Sequence, residues 1–239
     1  MLKTTKALIS YFKDFEEIIN YEFINKKNII LAFSHSSYVN ESKNKDTRSN
    51  ERLEFLGDAI LNLVVSEYIY KKYPNMTEGE MTKSRAKIVC ETSLERCANN
   101  IHIGKFLLLG KGEELSGGRI RTSILSDTFE AVIGAIFIDS GIDQAKNFII
   151  KQMKDLIHDS VNGTLQFDYK TEFQEVVQRN SDKKIAYEII EESGPDHNKL
   201  FALQLKVDDR VWGKGKGRTK KEAEQNAAKV ALEKMLKNK

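Results

Sequence analysis

Apolar residues recur at a helical period through most of the first 158 positions of the chain. The clearest case is residues 50–61, which begin a predicted helix that ends where Tyr73 precedes Pro74, because proline cannot donate a helical hydrogen bond. Its apolar positions follow the i, i+3, i+7 spacing of one buried face. They are Leu53, Leu56, Ile60 and Leu63 or Val64. This pattern predicts an all-α N-terminal domain.

Three acidic residues share the other side of this predicted helix. Glu51, Glu54 and Asp58 are also spaced i, i+3 and i+7. Like charges one helical turn apart repel each other, and Arg52, the basic residue within the stretch, points elsewhere. The spacing therefore indicates that these carboxylates face a cation.

A second predicted helix, residues 126–137, has the same two-sided character. Asp127 and Glu130 lie on the face opposite its apolar stripe, and Gly134 follows on that acidic face. A residue without a side chain lets another helix approach closely. If the two helices pack with these faces inward, their acids converge at one point. The alternative is that each acidic cluster covers a solvent-exposed face.

Converging carboxylates predict a divalent metal site. Mg²⁺ prefers oxygen ligands and usually combines a few carboxylates with water and substrate phosphates. Metal ions held in this way can activate water and stabilise the leaving oxygen of a phosphodiester displacement. The spacing alone therefore favours a metal-dependent phosphoryl hydrolase.

A glycine-rich connector, residues 109–119, precedes the second acidic helix. It lacks the GxxxxGK[ST] order of a phosphate-binding P-loop, so no nucleotide cofactor is expected. We expect a flexible loop that faces the substrate.

The pattern changes in the last third of the chain. Residues 200–207 alternate strictly between apolar and polar positions, as expected of a half-buried strand. The predicted order is helix 171–179, strands 185–192, 200–207 and 211–213, and helix 219–237. The chain is thus predicted to be an all-α domain (5–159), a flexible linker (160–167) and a small α+β domain of order α-β-β-β-α (168–238).

Charge is distributed unevenly over these domains. The net charge of the 239 residues is +3. Residues 168–239 contain 16 basic and 13 acidic residues, and residues 1–167 contain 22 of each, so the C-terminal third carries the whole excess. Residues 210–221 contain six basic residues and no acidic one, which is typical of a polyanion-binding surface.

Composition argues against several other classes of protein. Cys90 and Cys97 are the only two cysteines and are poorly spaced for a disulfide, and the four histidines are not paired with them as in a zinc site. No apolar run approaches the roughly 20 residues of a membrane span. A cytoplasmic protein that does not contact membranes is expected.

The acidic segments resemble those of the ribonuclease III family. Residues 50–61 (NERLEFLGDAIL) are similar to its signature motif, and residues 124–130 (ILSDTFE) to its second acidic segment. The connector GKGEELSGGR and Glu78 in TEGEM also fit. The resemblance implies that Glu54, Asp127 and Glu130 bind Mg²⁺, for which Mn²⁺ can substitute. It makes Asp58 and Glu130 the catalytic pair, and Glu51 and Glu78 accessory acids of the cleavage valley.

The C-terminal domain resembles a double-stranded RNA-binding domain. Such domains recognise A-form shape, 2′-hydroxyls and phosphates. Two lysines in the first turn of the last helix are unfavourable to the helix dipole unless an anion binds there. Glu224 departs from the lysine common in such domains. The resemblance implies RNA contacts by Thr171, Gln174, Glu175, His197, Lys199, Lys220 and Lys221.

Phe55 lies nearer the acidic side of its helix than the apolar stripe. Exposed aromatic residues often mark interfaces, although packing against a neighbouring loop is an equal alternative from the sequence alone. The family resemblance favours a homodimer in which Phe55 enters a socket of the partner subunit.

The resemblance implies an endoribonuclease that cuts both strands of duplex RNA and leaves 5′-phosphates, 3′-hydroxyls and short 3′ overhangs. Precursors of ribosomal RNA and other structured RNAs are the expected substrates. A duplex-RNA-binding regulator with an inactive nuclease domain is a second hypothesis, but none of the acids is missing. A phosphohydrolase of small nucleotides would leave the C-terminal domain unexplained.

Overall fold

A computed structural model describes residues 5–42, 48–163, 165, 169–178, 183–194 and 199–237. The chain divides into two compact units, residues 1–165 and 166–239. Among the described residues, no helix is both long enough and apolar enough to cross a membrane.

The described part of the first unit is helical, which confirms the predicted all-α class. Its longest helix extends well beyond the predicted residues 126–137 and changes direction at Gly141, whose φ of 80° is outside the helical range. That helix is still regular at Ser160 and Val161, so the predicted linker begins inside it. The helices are α1 (Thr5–Ile19), α2 (Lys26–Ala32), α3 (Ser36–Glu41), α4 (Glu51–Lys72), α5 (Glu78–Ile88), α6 (Glu91–Asn100), α7 (Ile103–Phe106), α8 (Lys111–Leu115), a 3₁₀ turn (Gly118–Ile120) and α9 (Thr122–Val161).

Helices α4 and α9 form the centre of this unit. α4 ends before Pro74, as predicted. Leu53, Ile60 and Val64 of its apolar stripe are buried, whereas Leu63 is 61% exposed. Of the two residues that the spacing left open, the core therefore uses Val64.

An aromatic cluster anchors the N-terminal helices to α7. Phe15 packs edge-on against Phe33, with 4.7 Å between ring centroids, and against Phe106 at 5.2 Å. All three rings are fully buried. Because aromatic pairs favour such tilted arrangements, the cluster holds the segment after α7 in place.

The glycine-rich connector is more ordered than the sequence suggested. It forms α8 and the 3₁₀ turn, and the Arg119 guanidinium donates hydrogen bonds to the carbonyls of Gly104 and Leu107, at 2.9 and 3.0 Å. Arg119 also pairs with Glu114. The expected loop thus contains two short helical segments, and Arg119 ties it to the end of α7.

The second unit has the predicted α+β order. Helix α10 (Tyr169–Gln178) precedes strands β1 (Ile185–Ser193), β2 (Leu200–Val207) and β3 (Arg210–Gly217), and helix α11 (Lys220–Lys237) follows them. The strands form an antiparallel sheet in the order β1-β2-β3. β2 has its predicted limits, whereas β3 continues four residues past the predicted end.

Close contact between β3 and α11 explains the longer strand. A Cβ atom at Gly213 would lie 2.2 Å from the Ala227 carbonyl oxygen, and one at Gly215 would lie 2.2 Å from the Ala227 nitrogen. Ala227 and Ala231 are fully buried. The alanines therefore let α11 lie close on the sheet, and the glycines of β3 provide the space.

Helices α5 and α11 each begin with the Thr-x-x-Glu order of a capping box, and the two boxes differ. At α5, the Thr77 side chain accepts from the Glu80 amide and the Glu80 carboxylate accepts from the Thr77 amide, so the box is complete. At α11, the Thr219 hydroxyl accepts from the Glu222 amide at 3.1 Å. The Glu222 carboxylate instead accepts from the Arg218 amide at 2.8 Å, which completes the cap one residue earlier in the chain.

Candidate functional site

Three carboxylates from α4 and α9 meet at one point. Glu54 lies on α4, and Asp127 and Glu130 lie one turn apart on α9. One oxygen atom from each can be chosen so that all three lie within 4.8 Å of one another. All three side chains are half-buried. The structure thus brings together the three residues that the family resemblance implied as metal ligands.

Two glycines allow the acidic helices to pack this closely. A Cβ atom at Gly57 of α4 would lie 1.8 Å from the Glu130 carbonyl oxygen, and one at Gly134 of α9 would lie 2.3 Å from the Leu53 carbonyl oxygen. Any larger residue at either position would push the backbones apart. The close approach predicted for Gly134 is present, and Gly57 provides its counterpart on α4.

Burial and mutual repulsion make these carboxyl groups hard to ionise in the metal-free protein. Burial, together with the charges of Asp58, Asp127 and Glu54, raises the pKa of Glu130 to about 8. Burial, Glu54 and Glu91 raise the pKa of Asp127 to about 6. The pKa of Glu54 is also raised, mainly by burial and then by Glu51 and Asp58.

A divalent cation would reverse this cost. Neighbouring like charges with little solvent disfavour the ionised form, and a positive charge among them favours it. The atoms that could bind a metal are all carboxylate oxygens, which hard cations such as Mg²⁺ prefer over nitrogen or sulfur. The residues present therefore fit a divalent metal ion.

Asp58 lies beside the three carboxylates but outside their 4.8 Å group. It is exposed on α4, and one of its carboxylate oxygens accepts a hydrogen bond from the Asn62 side-chain amide at 2.7 Å. Its charge is the largest electrostatic contribution, after burial, to the raised pKa of Glu130. Asp58 is thus close enough to act on the centre without belonging to the trio.

The two acids expected to have accessory roles, Glu51 and Glu78, have different positions. Glu51 begins α4, accepts a hydrogen bond from the Ser49 hydroxyl at 2.7 Å, and contributes to the raised pKa of Glu54. Glu78 begins α5, where it accepts from the Thr82 hydroxyl at 3.0 Å. It lies at a groove between α4 and α5 and has no part in the carboxylate trio.

The structure adds an acidic residue that the sequence patterns do not single out. Glu91, the first residue of α6, lines a cavity of about 280 Å³ together with Asp127 and Glu130. Its charge contributes to the raised pKa of Asp127. No periodic signal marks Glu91, because it is a lone acid at a helix start that is distant in sequence from both acidic helices.

Known proteins resemble the chain over nearly its whole length. Residues 25–156 match the family model described as ribonuclease-III-like, and residues 169–235 match the double-stranded RNA binding motif. The chain is 51% identical to ribonuclease 3 of Caldanaerobacter subterraneus subsp. tengcongensis over 220 aligned residues. The alignment covers 92% of this chain and 96% of that protein. The chain belongs to the ribonuclease III family. Ribonuclease 3 of Listeria monocytogenes is 48% identical over 229 residues, 95% of this chain and 99% of that protein.

A solved structure gives the same assignment. The nuclease domain of ribonuclease III from Campylobacter jejuni, described as flexible in a region involved in dimer formation, is 40% identical with a TM-score of 0.56. It covers 60% of this chain and 96% of that chain. As a member of the ribonuclease III family, the protein is a metal-dependent endoribonuclease specific for double-stranded RNA.

An apolar stripe remains exposed along α4 of this ribonuclease III. Phe55 is 80% exposed and Tyr70 is 70% exposed, with Leu63 between them. A groove of about 450 Å³ adjoins the second half of the stripe, with Leu63, Tyr70 and Met81 among its lining residues. An exposed aromatic residue and an apolar groove on one subunit are the two parts that a self-complementary interface needs.

The residues expected to contact RNA are placed only in part. Lys220 and Lys221 are exposed in the first turn of α11, and the Lys220 ammonium lies 5.7 Å from the centre of the Phe201 ring. Lys199 pairs with Glu192 at 3.0 Å. Thr171 and Gln174 are exposed on α10. Glu175 belongs to the same helix, and the prediction for His197 lies outside the described residues.

Glu224 has a partner within the second unit. Its carboxylate forms a 2.6 Å ion pair with Lys170. The acidic residue that departs from the usual lysine therefore links α11 to α10.

Proposed function

We propose that the protein hydrolyses both strands of duplex RNA with Mg²⁺ and leaves 5′-phosphate and 3′-hydroxyl ends with short 3′ overhangs. The observation that carries the proposal is the meeting of Glu54, Asp127 and Glu130 in a chain that also contains a double-stranded RNA-binding domain. Precursors of ribosomal RNA and other structured RNAs are the proposed substrates. The cytoplasmic location suggested by the two unpaired cysteines belongs to the same proposal.

Glu54, Asp127 and Glu130 would hold the metal ion, with Mn²⁺ able to replace Mg²⁺. When bound, the ion supplies a more acidic water molecule and neutralises charge that develops on the phosphate oxygens. Close helix packing at Gly57 and Gly134 keeps the carboxylates in place before the substrate arrives. These side chains therefore need to move little during the reaction.

Asp58 and Glu130 form the proposed catalytic pair. Asp58 is exposed, and its hydrogen bond from Asn62 fixes the carboxylate orientation. A carboxylate held in this way can accept a proton from the attacking water through its free oxygen. Glu51 and Glu78 would act at a greater distance, as acids that line the path of the RNA.

The second unit would supply affinity for the duplex. Thr171, Gln174 and Glu175 of α10, with His197 and Lys199, are proposed to contact the grooves. Lys220 and Lys221 are proposed to contact phosphates, which the exposed amides at the start of a helix also favour. Such contacts recognise duplex shape and do not depend on base sequence.

A homodimer would place two centres on one duplex. We propose that Phe55 of each subunit enters the groove between α4 and α5 of the partner. The 80% exposure of Phe55 and the nearby exposed Leu63 and Tyr70 support this proposal. So does the Campylobacter jejuni nuclease domain, which is described as having a region involved in dimer formation. Glu78 lies at the same groove, so a partner subunit would approach it.

A cleavage assay on a perfect RNA duplex tests the proposed reaction. With Mg²⁺, the wild type should cut both strands, and mapping the ends should give 5′-phosphates, 3′-hydroxyls and a short stagger. Glu130→Ala should bind the duplex but leave it intact. An uncut duplex with the wild type, or equal cleavage by the variant, would refute the proposal.

A further inference from the structure

The cavity beside the proposed metal ligands has a third charged residue on its wall. It is bounded on one side by Asp127 and Glu130 of α9 and on the other by Glu91, the first residue of α6, and by Val89, which follows α5. Among the described residues, Glu91 makes no hydrogen bond or ion pair, although its charge contributes to the raised pKa of Asp127. A carboxylate with nothing to neutralise it thus faces the space next to the centre.

The position of Glu91 at a helix N-terminus gives its charge a specific effect. The free amides at the start of a helix carry a partial positive charge. A helix start that borders a cation site would repel the cation. Glu91 is the first residue of α6 and the acid of its first turn, so its carboxylate compensates that partial charge where the cavity begins.

The surroundings of the cavity suit a hydrated ion. Mg²⁺ retains several water molecules in most protein sites. The cavity of about 280 Å³ is lined by the hydroxyl-bearing Ser123 and Ser126 as well as by the three acids. Groups around the ligand shell commonly orient ligands and tune affinity without touching the metal.

We propose that Glu91 is a positioning residue that raises the cation affinity of the carboxylate centre from outside the ligand set. The inference rests on the proposed Mg²⁺ site of Glu54, Asp127 and Glu130. It assigns to α6 a role in the centre in addition to those of α4 and α9.

The test is binding of Mn²⁺ to the RNA-free protein, followed by electron paramagnetic resonance, with Mg²⁺ as competitor. Glu91→Gln should weaken Mn²⁺ binding about three- to tenfold, between the effect of an exposed charge and that of a buried group hydrogen-bonded to a metal ligand. Glu91→Lys should weaken it further, and Glu91→Asp should restore most of the affinity. Cleavage at saturating Mg²⁺ should stay within about twofold of the wild type, while the Mg²⁺ concentration for half-maximal rate rises in parallel.

Two comparisons keep the outcomes distinct. Asp155→Asn makes the same change of charge on an exposed part of α9 and should not alter Mn²⁺ affinity. Glu130→Gln tests the centre itself: if it leaves Mn²⁺ binding unchanged, the proposed metal site is wrong. If Glu130→Gln removes binding while Glu91→Gln and Glu91→Lys bind Mn²⁺ as tightly as the wild type, the role of Glu91 alone is refuted.

Discussion

Removing the charge of Glu130 should make the metal-free protein more stable and the enzyme inactive. Glutamine has nearly the shape of glutamate, so Glu130→Gln changes charge without creating a cavity. In the wild type, burial and three neighbouring carboxylates raise the pKa of Glu130 to about 8. Glu130→Gln removes the charge that this environment disfavours, and it also removes one proposed metal ligand.

The size of the stabilisation follows from proton linkage. At pH 7 the folded protein still holds the Glu130 proton, whereas the unfolded chain has released it. Each pH unit between the model-peptide pKa and pH 7 costs the folded state about 1.4 kcal/mol, so the upper limit is about 3 kcal/mol. Solvent reaches the half-buried carboxylate and screens its interactions, which reduces the expected gain to about 1–2 kcal/mol.

The sign of the pH dependence follows from the raised pKa. The contribution of Glu130 to wild-type stability should be most favourable below its unfolded pKa and should be lost as pH rises through about 8. The stability gained by Glu130→Gln should therefore be small at pH 5 and reach its full size once the pH is above about 8. For a unit of this size, each kcal/mol of stability shifts the melting temperature by about 2–4 °C, so the expected gain corresponds to a rise of about 2–8 °C.

Calorimetry of the nuclease unit in EDTA and in Mg²⁺ measures both the stability gained by Glu130→Gln and the metal binding lost. In EDTA at pH 8 the variant should melt above the wild type, and Asp155→Asn, an exposed acid on the same helix, should not. In Mg²⁺ the order should reverse, because the ion binds the folded wild type. Cleavage by the variant should fall at least about a hundredfold. A variant that is less stable than the wild type in EDTA at pH 8 would show that the Glu130 carboxylate serves structure, and would refute the argument.

Three further changes test the interface, the helix packing and the RNA-binding surface. Phe55→Asp should shift sedimentation to the monomer mass, whereas Leu115→Asp, also at an exposed apolar residue, should not; an unchanged mass for Phe55→Asp excludes its interface role. Gly57→Ala should lower the unfolding free energy by about 3 kcal/mol or more in a denaturant titration, because its Cβ would lie 1.8 Å from a backbone oxygen. If the variant is as stable as the wild type, α4 and α9 can separate at little cost. Replacing both Lys220 and Lys221 with alanine should weaken duplex binding equally for all sequences. The slope of log affinity against log salt concentration should decrease by about 1 for each lost phosphate contact. An unchanged slope would contradict the phosphate contacts.

The helical period predicted the features that depend on one face of one helix. It separated the acids of α4 from its core residues, and it put Gly134 on the same face as Asp127. Because 3.6 residues make a turn, such assignments need no tertiary information. The strict alternation of residues 200–207 predicted the limits of β2 for the same reason.

Other features depend on neighbours that are distant in the sequence. An apolar residue at helical spacing can face either the core or a partner, so the pattern did not decide between Leu63 and Val64. The predicted β3 was too short because its second half, Gly213–Gly217, alternates glycine with lysine, which is a weak strand signal. Those glycines belong to the strand because Ala227 of α11 lies against them.

The carboxylate centre shows where this limit lies. The helical spacing indicated which acids share one face of each helix, and the resemblance to the ribonuclease III family selected the trio among them. Glu91 could not be predicted, because it is a single acid whose position at the cavity results from the packing of α6 on α9. A lone charge at a helix start is common, and only the fold shows which cavity it faces.

Neighbouring residues of α4 would serve the cation and the partner subunit. Glu54 is half-buried in the carboxylate trio, whereas Phe55, about 100° further around the helix, is 80% exposed. All three proposed ligands come from one chain, so a monomeric Phe55→Asp variant should still bind Mn²⁺ as the wild type does. It should nevertheless lose coordinated cutting of both strands, because that requires two centres on one duplex. If the monomer fails to bind Mn²⁺, then the partner subunit must hold α4 in its position against Gly134.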